Sequence, residues 1–128
     1  YACSSYPVKN SEKSKEKPVI ISNDSLEYEV IIIDVGFTLY LNTIAKPKKY
    51  YSLSYLENRN NIYVTNWNIR ALNPSKFNST IYENRIDYSP QIRYGLEVNY
   101  KLFNYFQFAQ QKYKIRLDGG SGLSPNFR

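Results

Sequence analysis

Two long stretches of this chain constrain its fold more than any other feature. Residues 48–72 contain neither glycine nor proline, and residues 94–117 contain only Gly95, at their start. Because glycine and proline are the residues that most often interrupt a helix, each stretch can continue as a single helix. A helix of about 25 residues extends ~37 Å. The sequence therefore predicts two long helices, the first of which opens at Pro47.

The first stretch repeats apolar residues at helical spacing. Leu56, Tyr63 and Trp67 follow one another at spacings of seven and four, which is typical of the buried face of a helix. Asn73-Pro74 ends the pattern, since the residue before a proline disfavours helical geometry. Several asparagines near residue 60 are poor helix formers, so the pattern also allows a break there.

The second stretch carries large apolar side chains on more than one face. A helix that is apolar nearly all round is either central in a core or part of an interface. We therefore expect this helix to form the centre of the fold or a binding surface. Its apolar residues are Leu96, Tyr100, Phe103, Tyr105, Phe106, Phe108, Ala109 and Tyr113.

The region before these helices has the pattern of a β-hairpin. Residues 18–33 are rich in β-branched side chains, and the turn signal Asn23-Asp24 divides them. The second strand alternates at first and then becomes fully apolar, so we expect Ile31–Ile33 to be buried on both faces. A two-stranded hairpin is marginal alone and must pack on the helices. Asp34 is the expected N-cap of a short helix over residues 37–41.

Together these patterns predict a fold class and a domain organisation. We expect a helix-rich α+β fold, in which an N-terminal β-hairpin packs on two long helices and an irregular segment between them, residues 74–93, wraps around the helices. We expect residues 19–117 to form a single globular domain. Residues 1–18 form a polar anchor or tether, and residues 118–128 a flexible, glycine-rich tail.

The chain contains no histidine and one cysteine. Catalytic Ser–His and Cys–His pairs, histidine metal sites and four-cysteine zinc sites are therefore excluded. Paired carboxylates remain as the catalytic option, but arginines lie near the candidates, which favours structural ion pairs. We expect no enzymatic activity, no cofactor and no bound metal. The carboxylates concerned are Glu57, Glu83, Asp87 and Glu97.

The net charge of +6 is dispersed along the chain. Nucleic-acid-binding proteins usually concentrate basic residues on one face, so we expect no nucleic-acid partner. Lys46, Lys48 and Lys49 form the only tight basic group of the folded region, and a mild positive balance suits an anionic membrane surface. No segment approaches the ~18 consecutive apolar residues of a membrane span.

The first residues resemble the end of a bacterial lipoprotein signal. Ala2 precedes Cys3, two serines follow it, and residues 9–18 are polar throughout. In such signals the cysteine receives the lipid, so we predict lipidation of Cys3 and a leader that carried the missing initiator methionine. The polar residues then form a tether of about 22 Å as a coil. The alternative is that Cys3 is a free surface thiol. Tyr1 and Ala2 favour this alternative, because a lipidated mature chain would lack them.

Six phrases characterise the chain between residues 27 and 106. They are residues 27–34 with Gly36-Phe37, residues 50–58, residues 63–70, Asn73-Pro74, residues 81–88 and residues 94–106. Together they resemble an uncharacterised family of small lipoproteins from Bacteroidota, especially flavobacteria, and Tyr94–Phe106 is the most specific of them. That family has no assigned activity. The resemblance therefore transfers no catalytic residue and implies only a lipid-anchored envelope protein.

Two further expectations follow from that resemblance. Residues 4–8, directly after Cys3, contain no acidic side chain. This favours the periplasmic face of the outer membrane over export to the cell surface. Asp24-Ser25-Leu26 matches the O-glycosylation pattern of that phylum and predicts a glycan on Ser25, with ordinary turn residues as the alternative.

We therefore expect a non-enzymatic accessory lipoprotein that binds another envelope protein, as a subunit of a larger assembly, transport or secretion complex. Tyrosine is frequent among binding hot spots, so the expected interface anchors are Tyr82, Tyr88, Tyr100 and Tyr105. The alternative is a module that binds glycan or peptidoglycan by stacking sugars on Tyr63 and Trp67. For both of these rings, a position in the core is the competing interpretation.

Overall fold

The structure is a computed structural model that describes residues 18–118. An antiparallel hairpin precedes the helices, which confirms the predicted helix-rich α+β fold. The predicted lipid anchor, most of the tether and nearly all of the tail lie outside the described residues. The regular elements are strands β1 (Val19–Asn23) and β2 (Tyr28–Ile32) and helices α1 (Phe37–Thr43), α2 (Leu53–Ala71) and α3 (Leu96–Tyr113).

Helix α3 is the centre of the described fold and contacts α2, α1 and β1. Nine of its 18 residues are buried. Phe106 packs on Tyr63 of α2, and Phe108 packs on Phe37 of α1, each pair with ring centroids 5.4 Å apart. Of the two roles predicted for this aromatic helix, a central position in the core or a place in an interface, the structure shows the first. None of the three helices combines the length and the apolar character needed to cross a membrane.

The hairpin buries only one of its faces. Ile21 and Ile32 are buried in the core, whereas Ile31 and Ile33 are 54% and 58% exposed. The expectation that both faces are buried is therefore wrong for Ile31 and Ile33. Successive side chains of a strand point to opposite faces, and the helices cover one side of this two-stranded sheet.

The hairpin turn lies where Asn23-Asp24 predicts it. Strands β1 and β2 are joined by a 3-10 turn, Asp24–Leu26, and by Glu27, which has a left-handed φ of 53°. Oδ1 of Asn23 accepts a hydrogen bond from the backbone N–H of Ser25 (3.1 Å), and Nδ2 donates to the carbonyl of Tyr94 (2.7 Å). Asn23 therefore shapes the turn and also ties it to the chain before α3.

Helix α2 begins at Leu53, later than the sequence predicts. Ser52 caps it, because its hydroxyl accepts a hydrogen bond from the backbone N–H of Tyr55 (3.1 Å). The helix then continues through Asn60 without a break. The buried Asn60 amide donates to Oδ1 of Asn99 on α3 (3.0 Å). This bond between helices offsets the poor helix propensity of asparagine.

Two other helix boundaries correct the sequence prediction. Asp34 does not cap α1, because Gly36 occupies the N-cap position with a φ of 97°, a conformation that glycine adopts without strain. The Asp34 carboxylate bonds to α3 instead. Helix α3 ends at Tyr113, earlier than predicted, because Lys114 is left-handed with a φ of 57°.

The segment between α2 and α3 is irregular, as predicted, and is fastened to α2 by side chains. The Asn68 amide accepts a hydrogen bond from the N–H of Ile86 (2.7 Å) and donates to the carbonyl of the same residue (2.9 Å). Nε1 of Trp67 donates to the carbonyl of Asn84 (2.9 Å). These bonds satisfy backbone groups that lack a sheet or helix partner.

Candidate functional site

A groove lies between β2 and the irregular segment. Residues 30–34 line one side, residues 83–86 and Ile81 line the other, and they enclose about 170 Å³. Because successive strand residues point to opposite faces, a cavity bordered by consecutive residues runs along the edge of the strand. Next to the groove, the Tyr28 hydroxyl of β2 donates to the carbonyl of Asp87 on the irregular segment (2.6 Å). We call this cavity the hairpin groove.

Trp67 of α2 and Tyr105 of α3 form the floor of the hairpin groove. They are only 4% and 7% exposed, and their rings meet edge to face with centroids 5.8 Å apart. Tyr82 also packs on Trp67, at 5.0 Å between centroids. Since Trp67 additionally donates to the backbone of the groove wall, its ring is held in one position. The floor is therefore formed before any ligand arrives.

The outer edge of β2 is unpaired. The hairpin register places Val30 opposite Ile21, and no backbone hydrogen bond from elsewhere in residues 18–118 reaches β2. Such an edge presents a row of N–H and C=O groups to an extended chain lying beside it. The exposed side chains of Ile31 and Ile33 add apolar surface to this wall.

The rim of the opposite wall is charged. Glu83 and Arg85 are exposed side chains of opposite sign on the irregular segment. The hairpin groove thus combines an apolar, aromatic floor with a polar rim. This arrangement is common to protein-binding surfaces, in which a buried apolar centre is bordered by charged residues.

Asp34 fixes one end of the hairpin groove. Its carboxylate accepts hydrogen bonds from the hydroxyls of Tyr105 (3.0 Å) and Tyr113 (2.9 Å) and forms an ion pair with Lys112 (2.5 Å). Burial, and then the negative charge of Asp34, raises the pKa of Tyr105, so its phenol stays protonated and donates. All three partners belong to α3, and the end of the hairpin is therefore fastened to the central helix.

The dimensions of the hairpin groove suit an extended peptide better than a small substrate. Its volume of about 170 Å³ is below the ~300–1,000 Å³ of typical ligand pockets. The groove lining contains two carboxylates. Both oxygens of the Asp34 carboxylate are engaged in internal bonds, and the Glu83 carboxylate lies exposed at the rim. Within residues 18–118, no three acidic or cysteine side chains group as a metal site. One or two side chains of a bound strand would fill the space.

The tyrosines predicted as interface anchors are largely used inside the fold. Tyr82 and Tyr105 are buried in this structure, and Tyr105 lines the floor of the hairpin groove, so their role as interface anchors stays a prediction. Tyr88 and Tyr100 are half-buried, and their hydroxyls donate to internal acceptors. Burial raises the pKa of Tyr88 to about 12. The physical reason is common to these side chains: the ring packs in the core while an internal partner satisfies the hydroxyl.

The two rings predicted to stack sugars are core residues. Tyr63 packs on Phe103 and Phe106 with centroids 6.0 and 5.4 Å away, and its hydroxyl accepts a hydrogen bond from Arg59 (3.1 Å). Trp67 is enclosed between helices and the irregular segment. Both rings are 4% exposed: Tyr63 lies away from the hairpin groove, and Trp67 lies at its floor, where little of the ring face is open to a sugar. The competing interpretation, a position in the core, describes both residues.

Of the two predicted modification sites, Ser25 lies within the described residues and Cys3 does not. Ser25 is exposed on the hairpin turn, and its hydroxyl donates to Oδ1 of Asn23 (2.7 Å). This position is accessible to a modifying enzyme, and glycosylation there stays a prediction. Cys3 lies outside the described residues, so its lipidation also stays a prediction.

Two of the four carboxylates considered for catalysis form ion pairs with nearby basic side chains. Glu57 accepts a hydrogen bond from Arg93 (2.8 Å), and Glu97 accepts one from Lys48 (2.5 Å). The hydrogen bond from Lys48 lowers the pKa of Glu97. These two carboxylates therefore have the structural role that nearby basic residues favour. The remaining two are exposed on the irregular segment: Glu83 and Asp87.

Sequence reasoning missed the hairpin groove because its walls and floor come from separate parts of the chain. One signal was available in the run Ile31–Ile33. A two-stranded hairpin covered by helices buries a single face, so an uninterrupted apolar run on it must expose some of its side chains. Such exposed residues beside an unpaired edge indicate a binding surface.

Comparison with known proteins gives a family without an assigned activity. The sequence profile of a family of unknown function, DUF6146, matches residues 1–124. No curated protein and no solved structure matches the chain. The family match thus extends through the described fold and into the residues on both sides of it.

Proposed function

We propose that this chain, which belongs to the DUF6146 family of unknown function, is a non-catalytic protein-binding subunit of a larger envelope complex. In this proposal a lipid on Cys3 anchors it to the periplasmic face of the outer membrane of a flavobacterium or another member of the Bacteroidota. The complex serves assembly, transport or secretion, and its partner subunit binds in the hairpin groove.

One observation carries the binding role: the hairpin groove runs along the unpaired edge of β2. A partner segment that lies along this edge in extended conformation gains main-chain hydrogen bonds from β2. Its alternate side chains enter the space above Trp67 and Tyr105. Main-chain bonds supply affinity in this mode, and the shape of the floor supplies specificity.

The envelope location is supported by the sequence. Ala2-Cys3 followed by serines is typical of a lipoprotein processing site, and residues 9–18 have the composition of a tether. In this proposal residues 4–18 join the lipid on Cys3 to the domain, whose partner is held in or near the same membrane. The second candidate, a glycan-binding module, is not carried forward, because Tyr63 does not line the groove and Trp67, at its floor, is only 4% exposed, too little for a sugar to stack on the ring face.

Charge substitution on the exposed wall of the hairpin groove tests the binding role. We expect Ile31→Glu to abolish stoichiometric co-purification of an envelope protein with the full-length chain, extracted from native membranes in mild detergent. The physical reason is that a charge beside the β2 edge must be desolvated when a strand covers it. Ile69→Glu is the matched control, because Ile69 is an exposed isoleucine on α2 that does not line the groove.

The comparison of the two variants decides the outcome. Co-purification that survives Ile69→Glu and is lost in Ile31→Glu supports the hairpin groove as the binding site. The proposal fails if both variants retain the partner equally, or if the wild-type chain is recovered as a clean monomer. Circular dichroism of both variants checks that each remains folded.

A further inference from the structure

A second surface lies at the start of α2. It combines exposed tyrosines with the lysines that directly precede this helix. Tyr50 and Tyr55 are 63% and 46% exposed, and Leu53 between them is also exposed. Exposed apolar side chains that adjoin one another, unlike scattered single ones, mark a contact site. We call it the tyrosine–lysine surface, formed by Lys46, Lys48, Lys49, Tyr50, Leu53 and Tyr55.

Tyr51 supports this surface from beneath. Its ring packs edge to face on Tyr50 and on Phe103 of the central helix, with centroids 5.0 Å away in each case. It also stacks parallel to Tyr55, at 5.9 Å with an interplanar angle of 4°. The two exposed rings are therefore held by a ring that is itself anchored in the core, and they do not depend on a ligand for their position.

Positive charge surrounds the exposed rings. Lys48 and Lys101 share the single carboxylate of Glu97, at 2.5 and 3.4 Å. Lys46 lies over the Tyr50 ring with its Nζ 5.0 Å from the centroid. Neither Lys46 nor Lys49 forms an ion pair with any residue in 18–118. These lysines therefore outnumber the carboxylates that they contact.

We propose that the tyrosine–lysine surface binds the surface of an anionic lipid bilayer. Tyrosine rings and a leucine side chain enter the interfacial layer, while lysines extend along them to reach negatively charged head groups. Charge complementarity thus selects an anionic surface, and the apolar side chains between the lysines select one with a hydrocarbon layer beneath its head groups. A soluble polyanion would use the lysines and leave Leu53 and the ring edges in water.

Strand β1 is linked to this surface through two intervening side chains. Nζ of Lys101, which pairs with Glu97, also donates to the carbonyl of Ile20 in β1 (3.3 Å). Lys101 and Glu97 thus connect Ile20 of β1 to Lys48 of the tyrosine–lysine surface. If Cys3 is lipidated, as the proposed function holds, the bilayer that carries the anchor is the one that this surface binds. The lipid-binding inference itself needs no lipid on Cys3.

Vesicle co-sedimentation tests the inference with the full chain carrying Cys3→Ser, so that no lipid anchor contributes. We expect this protein to bind vesicles made of equal parts phosphatidylglycerol and phosphatidylcholine and to leave pure phosphatidylcholine vesicles unbound. Added salt weakens the binding, because it screens the lysines. We expect the double variant Lys46→Glu and Lys49→Glu to bind at least about tenfold more weakly than the Cys3→Ser chain. Tyr50→Ser should weaken vesicle binding as well.

A matched control separates the surface from net charge. Lys76 is an exposed lysine on the irregular segment after α2, and Lys76→Glu should leave vesicle binding unchanged. The inference is overturned if the Cys3→Ser chain does not bind anionic vesicles. It is also overturned if Lys76→Glu lowers vesicle binding as much as Lys46→Glu or Lys49→Glu alone. Either result leaves the hairpin groove untouched, since the co-purification of a protein partner is measured separately.

Discussion

At the scale of single residues, the Asp34 carboxylate is the main side-chain link between the end of the hairpin and α3. It joins the hairpin to three side chains of α3. We expect Asp34→Ala to lower the free energy of unfolding by about 2–3 kcal/mol, because the buried Tyr105 hydroxyl and Lys112 lose a charged partner. Asp34→Asn should cost less, since the amide oxygen still accepts one of these bonds.

Urea denaturation of the two variants measures the effect. A change below about 0.5 kcal/mol in Asp34→Ala, the range of ordinary surface substitutions, would contradict the role assigned to this carboxylate. The wild-type slope of the unfolding transition is the control, because an altered slope indicates a different unfolded or native state and not a lost contact.

Residue-scale prediction from sequence succeeded where a pattern was local. The spacing of Leu56, Tyr63 and Trp67 predicted one buried helix face, and all three are buried. The same reasoning assigned Asp34 to a helix cap, because only its neighbours along the chain were visible. Its true partners lie 71 or more residues away, at Tyr105 and beyond. A periodic pattern carries no information about such a partner.

At the scale of elements, the irregular segment depends on a few side chains of α2. Asn68 bonds both backbone groups of Ile86. We expect Asn68→Ala to speed tryptic cleavage after Arg85 several-fold while most of the helical signal remains, because the segment opens locally before the core unfolds. Asn61→Ala is the control, since the Asn61 side chain faces a shallow depression on α2 and has no bond to the segment.

Limited proteolysis with mass identification of the first cut checks this expectation. Equal cleavage rates in wild type and Asn68→Ala would show that the segment is held by other contacts. The sequence did predict that residues 74–93 are irregular, from their prolines and dispersed aromatics. It could not predict the attachment, because a side-chain amide that binds a distant backbone leaves no periodic signal.

At the scale of the whole molecule, buried tyrosines make the fold sensitive to alkaline pH. Burial raises the pKa of Tyr28, Tyr88 and Tyr105, with Tyr88 at about 12. Unfolded tyrosine titrates near ~10. A folded pKa above the unfolded value means that the stabilisation is complete below pH ~10 and is lost as pH rises towards the folded values.

We therefore expect the free energy of unfolding to stay level up to about pH 9.5 and to fall steadily above about pH 10. Denaturant titrations across this range give the stability, and the absorbance of tyrosinate in the folded protein gives the ionisation. The expectation is contradicted if all tyrosines ionise together near pH ~10 while the protein remains folded and equally stable.

The fold class was available from sequence, whereas the hairpin groove was not. Two stretches without helix breakers and one β-branched run were sufficient to predict a hairpin that packs on helices. The groove needs β2, α2, α3 and the irregular segment in their final positions, and its lining includes Trp67 and Tyr105, which local patterns assign only to the core. A site made by assembly of distant parts is visible only after the parts are packed.

The central claim, that the hairpin groove binds a partner protein, is tested most directly by site-specific photo-crosslinking in living cells of the native host. A photoreactive residue at Ile33 or Arg85 should join the chain to one discrete envelope protein. The same residue at Thr65, exposed on α2 away from the groove, should give none. No adduct at either groove position, or the same adduct from Thr65, would contradict the claim.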